Sequence, residues 1–194
     1  MFNDAYMLTQ ATIERRKTNT RRAEFSAEEQ QVLNEADDVY MDGDDVVAVF
    51  DTACENVRLS TRYKVGEVVA VAQSYEMIRN CMTIGDPLLP EWTASSAGYR
   101  NKMFVKAELM PHRIRIVGIR AERLQDISDE DCIKEGIIRI PEEMVQVRPF
   151  YFCNNQCHYD TPLEAFSVLI DKVSGRGTWA SNPWVVAYEY ELVK

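Results

Sequence analysis

Five of the eight residues from 15 to 22 are basic: Arg15, Arg16, Lys17, Arg21 and Arg22, interrupted by Thr18, Asn19 and Thr20. The whole chain carries a net charge of −9, so this run is a local cationic site in acidic surroundings. Such a chain repels a long duplex at a distance, and its phosphate contacts are confined to the run itself. That suits one nucleotide or a small polyanion. The competing reading is a solvated helix end, where the helix dipole favours cations.

Other residues with chemical potential are weaker. Cys153, Cys157 and His158 hint at metal, but zinc needs four ligands, usually in two pairs. Neither Cys54, Cys81, Cys132 nor His112 makes a second pair. The aspartates around Gly43 have the composition of a calcium loop, yet aligning that glycine puts Tyr40 and Val49 at ligand positions. No metal and no cofactor is expected. Trp92, Trp179 and Trp184 are candidate platforms for a base, with Trp92 in the most irregular stretch. There is no glycine-rich phosphate loop and no nucleophile elbow, and the two histidines lack motif partners.

Residues 9–16 read as a short helix that delivers the basic run. Ser26 and Glu29 form a capping-box signature, predicting a helix to about residue 38. Residues 46–50 read as a strand, with Tyr40 starting a hairpin partner across Asp42-Gly43. A second strand is expected over 67–73, and a mostly irregular excursion over 76–101, where Gly85, Pro87, Pro90 and Gly98 break periodicity. Residues 103–105 suggest a short strand. Strict alternation from 113 predicts a strand to 120 that continues towards 124, with a bulge at Gly118. Ser128 and Thr161 are N-caps of two further helices, closed by Gly136 and Gly175. Alternation over 186–193 predicts a last strand with one buried face.

The 194 residues suffice for one domain, and a hydrophobic content of 46% with 27% charged residues is that of an ordinary globular chain. No apolar run is long enough for a membrane helix. The first residues lack the basic start and apolar stretch of a signal peptide, so a cytoplasmic location is expected. Five cysteines, an odd number, argue for reduced thiols. Strands and short helices are interspersed without regular βαβ spacing. The expected class is α+β, one domain over 1–194, with a small mixed or antiparallel sheet, open or closed into a barrel.

Residues 11–22 resemble the signature of the ASCH family, small β-barrels of the PUA-like superfamily with a pattern of roughly G-x-K-x-x-E-x-R. Lys17 and Arg22 match the lysine and arginine; Arg15 stands at the glycine and Thr20 at the glutamate. The K-T-x-T-R-R form resembles the phage and prophage branch. Residues 63–75, with Tyr63, Val65 and Gly66, resemble that branch's Y-x-V-G-D strand. Met110-Pro111, then Arg113-Ile114, then residues 122–128 resemble its M-P, R-I and E-R-L-Q-D-I-S run, and residues 182–185 its N-P-W-V.

The resemblance implies a PUA-like barrel of mixed or antiparallel strands with peripheral short helices and insertions at 23–62 and 76–101. It implies a cleft lined by Lys17, Thr20, Arg21, Arg22 and Gln73 that holds RNA, a nucleotide or a modified nucleoside. Arg15, Arg16 and Arg21 are expected at a phosphate-facing rim. One branch of the family hydrolyses acetylated cytidine, which gives the alternative: an amidohydrolase with Thr20 as nucleophile and Lys17 as base. Gln73 falls where that branch has a glutamate, and glutamine orients a group without taking a proton. A third reading is a phage-derived module whose acidic face meets another protein.

Overall fold

The computed structural model describes residues 2–52, 55–83, 88–140, 143, 150–152 and 157–193. Its strands are β1 (Asn19–Arg22), β2 (Asp38–Asp42), β3 (Asp45–Phe50), β4 (Glu55–Ser60), β5 (Val68–Ala70), β6 (Arg113–Arg123), β7 (Ile138–Arg139), β8 (Phe150–Phe152), β9 (Cys157–Tyr159) and β10 (Trp184–Val193). Its α-helices are α1 (Leu8–Ile13), α2 (Ala27–Glu35), α3 (Tyr75–Cys81), α4 (Asp129–Lys134), α5 (Pro162–Ser174) and α6 (Thr178–Ser181). The class is α+β, and every described strand pair is antiparallel.

The principal sheet runs β1-β10-β6-β5. β6 begins with the alternation its sequence requires, Ile114 and Ile116 buried, but β10 departs from the expected single buried face: Val185 to Tyr188 are all buried, with Val185 in the α5 cluster and Val186, Tyr188 and Tyr190 in the cluster on the other face. The register steps from Glu189 opposite Gly118 to Tyr190 opposite Ile116. Val117 is therefore the extra residue of a bulge beside the glycine. A β-carbon on Gly118 would lie 3.3 Å from Glu189 Oε2, so the small residue fits the crowded side of that bulge.

Residues 23–62 carry α2 and a β2-β3-β4 meander. The capping box forms as expected: Ser26 Oγ accepts from Glu29 N, and Glu29 Oε2 accepts from Ser26 N. The Asp-rich segment is the hairpin turn, with Gly43 at φ +65°, Asp42 paired to Arg58 and Asp44 accepting from Val65 N. Leu33, Val46, Ala48 and Leu59 join one apolar cluster with Ile114, Ile116, Val186 and Tyr188. This segment is thus built onto the principal sheet. A second cluster packs Phe166, Leu169 and Ile170 of α5 on Leu124, Ile127, Cys132 and Val185.

Several expectations change. The strand over 67–73 shortens to β5, because Ser74 caps α3 through Met77 N and draws the chain off the sheet. Residues 76–101 hold most of α3 and a 3-10 helix (Glu91–Ser95), and their other described residues are turn or irregular. Where a strand was expected over 103–105, a 3-10 turn covers Lys102–Phe104, capped by Asn101. β1, β4 and the small β7-β8-β9 sheet were not anticipated; the basic run, expected to follow a helix as a solvated end or a rim, pairs instead with β10. The three sheets of the described residues are open, and no barrel closes among them. No described helix is long and apolar enough to cross a membrane.

Candidate functional site

β1 has a side-chain period of two, and that period divides the basic run. Asn19 and Arg21 turn inward, while Thr20 and Arg22 are half-buried on the other face. Before the strand, Thr18 N donates to Lys134 O, tying the run to the end of α4.

Lys17 is 2 % exposed. Its Nζ donates to Asn19 O (2.7 Å), Glu135 O (2.9 Å) and Glu135 Oε2 (2.5 Å). Burial lowers its pKa, and the Glu135 carboxylate offsets part of that. Three donors on three acceptors leave the ammonium fully engaged. Gly136 makes this approach possible. It sits at φ +106°, and a β-carbon there would meet Leu8 Cδ2 at 3.3 Å and Lys17 Cδ at 3.6 Å.

Arg21 does not form a rim. Its side chain is buried, with Nε on Glu122 (2.6 Å), Nη2 on Asp131 (2.8 Å) and Nη1 on Glu135 (3.2 Å). Burial opposes its charge, but these carboxylates outweigh it and raise its pKa. Burial pushes Asp131 up, yet the Arg21 hydrogen bond, with the charges of Arg21, Arg120 and Lys134, leaves it below the ordinary value. Arg120 Nη2 adds a 2.7 Å contact to the same Asp131. Arg16 is spent on Glu14 at the surface, and Arg15 is exposed. Much of the cationic run is therefore neutralised in place.

Arg22 is the exception. Among the described residues it has no carboxylate, and its buried Nε–H has no acceptor. Its guanidinium lies 5.8 Å from the Tyr63 ring centre. The Thr20 hydroxyl likewise makes no hydrogen bond among the described residues. Both side chains line two cavities. The first, about 370 Å³, is completed by Lys17, Glu135 and the Phe166, Leu169 and Ile170 face of α5. The second, about 200 Å³, lies over the sheet, with Tyr63, Val69, Ile114 and Tyr188. Phe2 lines both. Its ring is 5.7 Å from that of Tyr190 and 5.7 Å from Lys17 Nζ, and its carbonyl accepts from Lys102 Nζ.

Gln73 is not with this group. It lines a third cavity, about 420 Å³, that shares no lining residue with the other two. The cause is the early end of β5: Gln73 lies beyond the sheet, in the approach to α3. The acid at the lysine site is Glu135, which the sequence reading missed. The nearest signal was the helix-closing Gly136 beside it. Phe2 was also unforeseen. Trp92 stands away from Lys17, edge-on to Tyr75 and 4.9 Å from Lys106 Nζ. Trp184 is stacked by Arg123 at 4.7 Å, and Trp179 packs edge-on to Phe166. Cys153 lies outside the described residues; Cys157 is a free thiol in β9. No cluster of metal-ligating side chains occurs among the described residues.

No protein-family model, no curated protein and no solved structure matches the chain.

Proposed function

We propose that the cavities flanking β1 bind a small nucleotide or modified nucleoside, with Arg22 and Thr20 as the contacting groups and Lys17 and Arg21 as their scaffold. The observation that carries this reading is the unpaired Arg22. A guanidinium with a buried, acceptorless N–H beside a free hydroxyl is prepared for a phosphate or carbonyl oxygen. Phe2 and Tyr63 supply aromatic faces next to it. Neutralisation of Lys17 and Arg21 leaves too little free charge to track a long RNA, so a single nucleotide is favoured over a strand. The PUA-like barrel belongs to the same proposal. Residues of both edge strands, β1 and β5, line one cavity, as expected of a sheet curling towards closure. The ASCH resemblance and its phage branch rest on the motifs around Lys17 and Arg22.

The test is calorimetric titration with cytidine monophosphate. Arg22→Ala should weaken binding about 10-fold or more, the effect of a lost charge-assisted hydrogen bond, with an unchanged melting temperature. Equal binding by the variant would place the ligand elsewhere.

A second reading has one observation in its favour: Glu135 stands at the cavity of Lys17 and Thr20, supplying the carboxylate that Gln73 cannot be. In that reading Lys17 first passes a proton to Glu135 and, as the free amine, takes the Thr20 hydroxyl proton while the hydroxyl oxygen attacks the acetyl carbon of an acetylated cytidine. The lysine gives that proton to N4 as the amide C–N bond breaks and cytidine leaves, and water then hydrolyses the acetyl-threonine ester to acetate. Hydrolysis that vanishes in Thr20→Ala supports it; no turnover in the wild-type protein removes it.

A further inference from the structure

We propose that the third cavity is a separate ligand site, one that takes an uncharged, largely apolar small molecule carrying an N–H or O–H donor for Gln73. The cavity, about 420 Å³, is the largest of those described here and falls in the range of small-molecule pockets. Ile78 of α3, Met82, Leu89 and Met110 give it apolar walls.

Gln73, Thr83 and His112 interrupt that wall with polar side chains, and Cys81 adds a thiol. Gln73 is 3 % exposed, and its Oε1 is buried with no donor. Its backbone N–H has only the Met110 sulfur as partner, at 3.3 Å, a weak acceptor. A buried amide oxygen left unpaired is unfavourable, and folded proteins tolerate it mainly where something else supplies the donor. His112 is half-buried, and burial lowers its pKa, which favours the neutral imidazole. Its ring makes no hydrogen bond among the described residues, and can donate or accept. Glu108 stands at the rim and is mostly exposed. Among the described residues the wall therefore offers the Gln73 amide, an imidazole, the Thr83 hydroxyl and apolar contact, with Glu108 the one charged side chain, at the rim. A ligand that matches it is itself neutral. This sets it apart from the cationic Arg22 site, with which it shares no wall residue.

Indole is the probe: a flat apolar body with one N–H donor and no charge. 1-Methylindole keeps the body and removes the donor. Binding is followed by nitrogen–proton NMR titration of the full chain. Indole should bind saturably, shifting the amides of Gln73, Ile78, Met110 and His112, and 1-methylindole should bind at least 5-fold more weakly. Gln73→Leu should erase the difference between the two probes. It should also melt no lower than wild type, because it removes an unpaired polar group. Arg22→Ala should leave indole binding unchanged, whatever it does to cytidine monophosphate. Absence of saturable shifts at these residues, or equal binding of the two probes by the wild-type protein, overturns the proposal. So does loss of indole binding in Arg22→Ala, which would make the two sites one.

Discussion

Lys17 shows how a residue type can suggest one chemistry while its surroundings assign another. A lysine three residues before a threonine suggests a base beside a nucleophile. In the folded chain its ammonium is saturated by Asn19 O and the two oxygens of Glu135. Its main role is to hold the end of α4 against the start of β1. Lys17→Met should therefore cost about 1–3 kcal/mol of stability, because Asn19 O, Glu135 O and Glu135 Oε2 lose their donor while Arg21 still holds Glu135 Oε1. Urea denaturation measures this directly. Lys17→Met combined with Glu135→Gln should not recover the loss, since the second change also takes from Arg21 one of its three carboxylates. If the single variant is as stable as wild type, the lysine is not structural, and the base reading gains ground.

At the scale of elements, α4 and β1 meet through one glycine. Gly136 closes α4 in a left-handed conformation and leaves room for Leu8 and the Lys17 stem. Gly136→Ala meets both obstacles at once, a strained φ and a contact at 3.3 Å. The expected cost is about 1–3 kcal/mol. Because the same turn carries Glu135, the variant should also weaken any ligand that Arg22 and Thr20 hold, through a shift of the cavity wall. Gly43→Ala is the control: its φ is also positive, but nothing lies within 4 Å, so only the backbone strain applies. A smaller loss of stability at 43 than at 136, read from urea midpoints, checks the distinction.

For the molecule as a whole, acid stability depends on a network that joins β1, β6 and α4. Arg21 reaches Glu122, Asp131 and Glu135, and Arg120 adds a second cation to Asp131. Asp131 has its pKa held below the ordinary 3.8 in the folded state. The unfolded chain then binds more protons around that pH, so stability rises with pH there. The contribution is complete above the ordinary carboxylate value and is lost as pH falls through the lower folded value. Asp131→Asn should cost about 1–3 kcal/mol near neutral pH, and its deficit against wild type should shrink below about pH 4. Paired melting curves across pH 3–7 would show it. A deficit that stays constant with pH would mean that the carboxyl charge contributes nothing.

The local signals read from the chain hold because their causes are local. The Ser26 capping box, the Thr161-Pro162 helix start, the alternation from residue 113 and the bulge at Gly118 each depend on neighbours within a few positions. The α+β class follows from them. The strand β1 was not read from the chain, and its two-residue period separates Thr20 and Arg22 from Asn19 and Arg21 only once the run pairs with β10. The short capped helix at α3 was masked by the glycines and prolines that follow it. The site itself depends on distance in sequence. The carboxylates that consume Lys17 and Arg21 lie 101 to 118 residues away, so no local pattern marks which cations are neutralised. The same holds for Gln73: its place in the motif suggested the lysine cleft, and the three-dimensional path of the chain after Ala70 put it in another cavity. Arg22 is left unpaired by where the acids fall in space, and that arrangement exists only once β1, β6 and α4 have come together.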